Sequence, residues 1–476
     1  VTVTRAETPV TLSPELSASK LLSRGQAIGG AAVVLAVAVL LTLSATVGFG
    51  PSPLWWGQFA VAAVTVVYVA VIAFKLAMVF RAGGAPVLRF EPDDLRAIPD
   101  TDLATYTILV PLYREASVLP YLVGRLSALD YPPDKVQILL LIEEDDTETR
   151  SALEAMELAA QFEVVLIPDS APKTKPKACN VGLTRAVGEF CVIYDAEDRP
   201  EPDQLRKAAL AFRLLPERVV CVQAELHYWN PWTNWLTRCF AAEYATNFSL
   251  SLRGLDRHRL AIPLGGTSNH FRVDALRELG GWDPYNVTED ADLGIRIARR
   301  GWDVRMMVSV TEEEANSRLG NWVRQRSRWI KGYIQTWLVH SRHPLRVWRE
   351  LGTKRAVAMH LTLGFSTFTT LVNPFFWALF VSYLITGPRY LEPFFPRLSL
   401  YAGLATMILG NVLMCYCLMN GCMERGLHRA VRAMLTVPLY WGLMSVAAYK
   451  AVFQLLRPSK RHFWELTEHG LVSHES

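Results

Sequence analysis

Apolar and polar positions divide the chain into two kinds of territory. Residues 26–48 and 58–80 are nearly unbroken apolar runs, and Lys75 is the one charge inside them. At a rise of 1.5 Å per residue each run reaches about 35 Å, enough to cross a ~30 Å hydrocarbon core as a helix. Lys75 sits near the end of the second run, where its ammonium is expected to snorkel to the headgroups. The linker 49–57 contains no Lys or Arg, whereas Arg5, Lys20 and Arg24 precede the pair and Arg81 and Arg89 follow it. The positive-inside rule places both outer ends in the cytoplasm. Residues 1–25 therefore read as a cytosolic tail and 26–84 as two transmembrane helices.

Residues 85–350 have no long apolar run and carry most of the charge. Short apolar strands at 106–111, 136–142, 164–167 and 190–194 alternate with helical patterns, which predicts a cytosolic α/β domain with a mostly parallel sheet. In such sheets ligands bind beyond the carboxyl ends of the strands. Apolar character returns in 351–456. Residues 355–387 are too long for one straight crossing and contain Pro374, which predicts an interfacial helix leading into a bent span. Residues 398–420 read as a further span, and Arg425, His428, Arg429 and Arg432 return the chain to the inside. Residues 431–456 can be a fifth span or an in-plane amphipathic helix. Arg457, Lys460 and Arg461 follow, and their charge favours the in-plane reading, with 457–476 a cytosolic loop.

Composition narrows the class. With 51% hydrophobic and 20% charged residues the chain is too apolar for disorder and too charged to lie wholly within a membrane. A net charge of +4 gives no case for nucleic acid. Seven cysteines, an odd number, make no disulfide scaffold, and no Cys/His spacing suits zinc.

The strand ends carry the chemistry. Glu143-Glu-Asp-Asp146 follows the second strand, the basic loop Lys173–Asn180 the third, and Asp195-Ala-Glu197 the fourth. Acidic residues in such places often cap helices or form turns. Alternate residues leaving a strand can instead aim two carboxylates at one point. Two hard oxygen ligands beside a diphosphate suit Mg²⁺ or Mn²⁺, and Lys177 would pair with that diphosphate. Thr288-Glu289-Asp290 reads locally as a helix start, and Gln325-Arg-Ser-Arg-Trp329 lies in a basic helical pattern.

The order of these motifs resembles the processive family 2 glycosyltransferases, inverting membrane enzymes such as bacterial cellulose, hyaluronan and chitin synthases. The resemblance runs from Tyr106 to the end of the chain. It implies a GT-A-type, Rossmann-like domain over 85–350, embedded between transmembrane helices. Pro111, Tyr113 and Glu115 match the turn against which the nucleotide base lies, and Glu144, in Glu143-Glu144, stands where the family has its uridine-binding Asp pair. Lys177-Ala-Cys-Asn180 matches the family's Lys-Ala-Gly-Asn stretch. Asp195-Ala-Glu197 matches its DxD, implying Mg²⁺ or Mn²⁺ on Asp195 and Glu197, with Asp198 able to share that role. Thr288-Glu289-Asp290 matches TED, whose Asp is the catalytic base. Gln325, Arg328 and Trp329 match QxxRW, which binds the diphosphate and caps the acceptor end. Trp464, Thr467 and His469 resemble a cytosolic gating loop, with Trp for Phe and His for Lys.

The implied activity is β-linked polysaccharide synthesis from a nucleotide-diphosphate sugar, expected to be a UDP-sugar. The implied setting is a bacterial inner membrane, with membrane lipids and an export or periplasmic partner. Transfer of a single sugar to a lipid carrier is the rival reading. An inactive transport or scaffold protein is a more distant one.

Overall fold

A computed structural model describes residues 3–5, 12–48, 50–83, 87–387, 393 and 395–465. Among the described residues, nine strands form one mixed sheet: β1 (Val3–Arg5), β2 (Tyr106–Leu112), β3 (Val136–Glu143), β4 (Phe162–Ile167), β5 (Phe190–Ile193), β6 (Arg199–Pro200), β7 (Val219–Tyr228), β8 (Asn269–Arg272) and β9 (Asp303–Glu313). Their order is β1-β4-β3-β2-β5-β8-β7-β9-β6. Strands β1 to β5 pair in parallel, as do β7 and β9, while β8 runs antiparallel to both its neighbours. This is the mostly parallel, Rossmann-like arrangement of GT-A type that the sequence predicts.

The strands read as continuous apolar runs because both sheet faces are covered. Leu109, Leu139, Leu141 and Val165 enter one core. Their chain neighbours Ile108, Val110, Ile138, Leu140 and Val164 enter the other, as the two-residue period of a strand requires. The seven cysteines are free thiols, and all but Cys415 are buried.

Seven helices position the site and its membrane flank: α1 (Arg24–Val47), α2 (Pro53–Ala82), α3 (Lys175–Arg185), α4 (Glu289–Arg299), α5 (Leu319–His340), α6 (Ser366–Thr386) and α7 (Val437–Leu456). Five helical stretches among the described residues are long and apolar enough to cross a membrane: α1, α2, Pro344–Thr386, Arg397–Glu424 and His428–Leu456. Ser23 opens α1 with a capping box to Gln26, and Ser52 caps α2 ahead of Pro53.

The third stretch breaks at a different place from the one its proline predicts. Its non-helical residue is Gly352, at φ 70°, while α6 runs through Pro374. Pro374 frees the Thr370 carbonyl one turn back, and Ser445 of α7 donates its hydroxyl there at 2.7 Å. Tyr449 of α7 does the same for the Leu371 carbonyl. The neighbouring helix thus satisfies the carbonyls at the proline, as a low-dielectric setting demands.

Both ends of α7 are held against α5. Near its start, the Tyr440 hydroxyl accepts from Arg326 at 2.9 Å. Just past its end, the Arg461 and Phe463 carbonyls accept from Gln335 at 3.0 Å and Lys331 at 2.8 Å.

Gly254 lets the domain press against α2, since a Cβ there would collide with the Met78 carbonyl. Gly254→Ala should cost about 1–3 kcal/mol through overpacking. A thermal-unfolding series in detergent reads this as a lowered midpoint; an unchanged midpoint would show that α2 yields freely.

Candidate active site

A cavity of about 780 Å³ lies at the carboxyl ends of the central strands. It runs from Pro111, Tyr113 and Glu115 past Asp195 and Asp290 to Tyr68 and Asn373 among the membrane helices. The Arg114 backbone, at φ 60°, occupies the left-handed region and donates its N–H to Asp146, which fixes the turn presenting Tyr113 and Glu115. Asp146 also caps the helix Thr147–Glu154, so this member of the acidic cluster is structural.

Asp195 leaves β5 into the cavity, and Glu197 lines it too. Asp198 does not share that role. Its carboxylate turns back, accepting the Asp195 N–H at 2.7 Å and the Thr267 hydroxyl, and so shapes the turn that carries its two neighbours. Burial, then the Asp195 and Glu197 charges, push its pKa well above the carboxylate range. Glu313, at the end of β9, adds a carboxylate that no motif signalled, and burial with the same three acids raises its pKa likewise.

The cation facing Asp195 is Lys175, at 2.7 Å; it also donates to the Gly266 carbonyl at 2.8 Å. Burial works against its charge, but Asp195 and Glu289 outweigh that and raise its pKa. Lys177 sits elsewhere. Its ammonium is buried between Glu143 at 3.2 Å and the Pro168 and Ser170 carbonyls at 2.7 and 2.9 Å, off the cavity. Residues two apart on a helix point about 200° apart. Once α3 starts at Lys175, its first two lysines therefore cannot serve the same place. The acidic pair is displaced in the same way. Glu143 lines the cavity, while the Glu144 carboxylate accepts the Asp169 N–H at 3.3 Å outside it.

Thr288, Glu289 and Asp290 line the cavity where α4 begins. Gly332 lets α5 press against Thr288, since a Cβ there would strike its hydroxyl. Behind them, buried Asp292 binds Arg296 at 2.7 Å and His340 of α5 at 2.9 Å, tying the two helices together. Asp290 holds one oxygen on the Ala291 N–H at 2.7 Å, and a Cβ at Gly266 would lie 3.5 Å from the other. Burial raises the Asp290 pKa to about 6, with the Ala291 bond and the Lys175 and Arg328 charges pulling it back. Glu289 is raised further, by burial and then by the Asp290 charge.

Gln325, Arg328 and Trp329 of α5 line the same cavity. The Gln325 side chain accepts from Asn316 at 2.9 Å. Trp329 stacks on Tyr244 with ring centres 6.0 Å apart. Burial lowers the Arg328 pKa, and Glu289, Asp195, Asp290 and Glu197 counter it. Its guanidinium lies 4.6 Å over the Trp464 ring and donates to the Glu465 carbonyl at 3.0 Å, which brings the start of the gating-like loop into the site. Thr467 and His469 lie outside the described residues. Arg326, not foreseen, pairs with Glu243 and stands 4.8 Å from the Trp329 ring.

No group of three or more His, Cys, Asp or Glu among the described residues could hold a metal ion unaided. Asp195 and Glu197 nevertheless supply two hard oxygen donors to one cavity that carries excess acid. That set fits a divalent cation whose remaining ligands come from a diphosphate. The Arg328 Nε is buried without a hydrogen-bond partner in the same wall, a donor suited to that anion.

Residues 104–332 match the model of a family described as glycosyltransferase like family 2. The chain is 26% identical over 240 residues to Probable glycosyltransferase YdaM of Bacillus subtilis, covering 48% of this chain and 56% of that protein. It is 26% identical over 239 residues to beta-monoglucosyldiacylglycerol synthase of Synechocystis, covering 48% of each. It is also 27% identical over 252 residues to the UDP-forming cellulose synthase catalytic subunit of Komagataeibacter sucrofermentans, covering 51% of this chain and 32% of that protein. The chain thus spans about half or less of the length of these relatives. The acidic cavity at the strand ends, the intact Thr288–Asp290 and Gln325–Trp329 motifs and the family match agree: residues 104–332 are a family 2 glycosyltransferase domain.

Proposed function

We propose that this membrane-bound glycosyltransferase inverts the donor's anomeric centre. In this reading it uses a nucleotide-diphosphate sugar, a UDP-sugar, to extend a β-linked polysaccharide and passes the chain across a bacterial cytoplasmic membrane. The observation that carries this reading is the continuity of one cavity from Asp290 and Arg328 to Tyr68 and Asn373 between membrane helices. A product formed at Asp290 has a path into the bilayer region without leaving the protein. In this reading the α7 helix lies in the membrane plane, with the gating-like loop on the domain side, and the return of both its ends to α5 supports it. An export partner would take the chain on the far side.

The nucleotide lies toward Pro111, Tyr113 and Glu115, with Glu143 as the nearby acid. Asp195 and Glu197 would hold Mg²⁺ or Mn²⁺ together with diphosphate oxygens, and the ion would supply positive charge for the leaving group. Lys175 and Arg328 add fixed charge beside it. Asp290, ionised above about pH 6, takes the proton of the acceptor hydroxyl. The freed oxygen bonds to the anomeric carbon as the bond to the diphosphate breaks, and the diphosphate leaves with that electron pair. Trp329 offers a ring face to the acceptor sugar.

Four measurements test this reading. Asp290→Asn should lower sugar transfer about 10²–10⁴-fold while donor binding survives; normal turnover would remove Asp290 as the base. With a raised carboxylate pKa, the working form gains population as pH rises. The wild-type kcat/KM should therefore climb through about pH 6, and a flat profile from pH 5 to 7 would contradict it. Excess chelator should abolish transfer and added Mg²⁺ or Mn²⁺ restore it, whereas full activity in chelator would sink the Asp195–Glu197 assignment. Sizing the product separates a polymer from a single-sugar glycolipid.

A further inference from the structure

Beyond Trp329 the cavity continues between membrane helices, where Tyr68, Lys75, Asn373 and Asn411 line it. Tyr68 donates to Asn373 at 2.9 Å and Asn411 to the Met407 carbonyl. Lys75 differs from both its neighbours and its sequence expectation. Its side chain lines the interior cavity rather than facing headgroups. It stands one turn before Met78, whose carbonyl lies against Gly254 of the domain, so it marks the threshold between site and passage.

Among the described residues, Lys75 makes no hydrogen bond and no ion pair within 4.0 Å. Glu243 lines the same cavity without forming an ion pair to it. Glu243 already carries a close ion pair with Arg326 and accepts the Tyr440 hydroxyl at 2.6 Å. With Glu243 taken by Arg326 and Tyr440, no described acid lies within ion-pair distance of Lys75 in this part of the wall. An uncompensated ammonium on a membrane helix is costly and marks a place where a ligand completes the pair. Among apolar residues such as Val71, Ile72 and Met444, this wall also carries Tyr68, Asn373 and Trp441, which offer hydrogen-bonding groups and aromatic faces to a sugar ring.

The geometry points to Lys75 as an anion-binding subsite that takes a carboxylate-bearing sugar unit of the growing chain as it enters the passage. The product is therefore an acidic polysaccharide. This deepens the glycosyltransferase reading and rests on it. The carboxylate of an acidic unit pairs with the Lys75 ammonium, and the next unit replaces it as the chain advances. A neutral glycan would leave the ammonium unpaired at every step.

The test uses the purified full chain in detergent and three probes: a hexamer of galacturonate, a neutral glucose hexamer and a polyprenyl phosphate. Binding is read by quenching of tryptophan fluorescence, which Trp329 and Trp441 report. The galacturonate hexamer should bind at least tenfold more tightly than the neutral one at low salt. Lys75→Met should erase that preference, and Lys75→Arg should keep it, which separates loss of charge from loss of fold. Equal affinity for the two hexamers, or a preference that survives Lys75→Met, overturns the inference. Lys75-dependent binding of the polyprenyl phosphate alone overturns it in favour of a lipid-linked acceptor. A protein that transfers sugar yet shows no acidic preference defeats this inference and leaves the glycosyltransferase reading standing. Absence of transfer from any nucleotide sugar would defeat both.

Discussion

Asp195, Glu197, Asp198, Glu289, Asp290 and Glu313 come together where β5, β9 and the start of α4 meet, and Lys175 and Arg328 are the cations acting on them. At an effective dielectric of about 20, two like charges 4 Å apart repel by about 4 kcal/mol. Such crowding cannot persist with every group ionised. Burial, and after it this crowding, raises the pKa values of Asp198, Glu289 and Glu313, so part of the repulsion is relieved by protonation. The rest is a standing demand for positive charge, met in part by Lys175 and suited to a divalent cation. The same field keeps Arg328 aimed at the cavity despite its burial.

That constraint explains why α5 matters more than any single motif. It carries Gln325, Arg328 and Trp329 on the face toward the acids. Its other contacts fix how that face is presented. Gly332 brings it against Thr288, His340 binds Asp292 behind Asp290, and Lys331 and Gln335 hold the carbonyls of the segment after α7. One helix thus connects the acidic cluster, the membrane flank and the start of the gating-like loop. A displacement of α5 would change all three together.

The membrane flank follows the same low-dielectric rule as the acidic site. Pro374 frees carbonyls inside a helix, and Ser445 and Tyr449 answer them from the next helix. Glu225, buried between domain and membrane flank, is matched by Arg253 and Arg425. Lys75 is the exception in this flank, a cation whose partner the described residues do not supply.

Local pattern alone specified what repeats locally. Apolar runs of membrane-crossing length, strands with both faces apolar, and motifs such as Thr288–Asp290 and Gln325–Trp329 depend on residue type and spacing, so they were legible in the sequence. Which of two near neighbours faces the ligand was not. Lys175 rather than Lys177, Glu143 rather than Glu144, and the inward turn of Asp198 depend on where a strand ends and a helix starts, and a shift of one residue reverses the face. Glu313 and Arg326 join the site from elements with no motif of their own. The break at Gly352 instead of Pro374, and the inward position of Lys75, needed neighbouring helices that lie far away in the chain. Spacing fixes what a residue can do, but a buried charge is placed by the partners that folding brings to it.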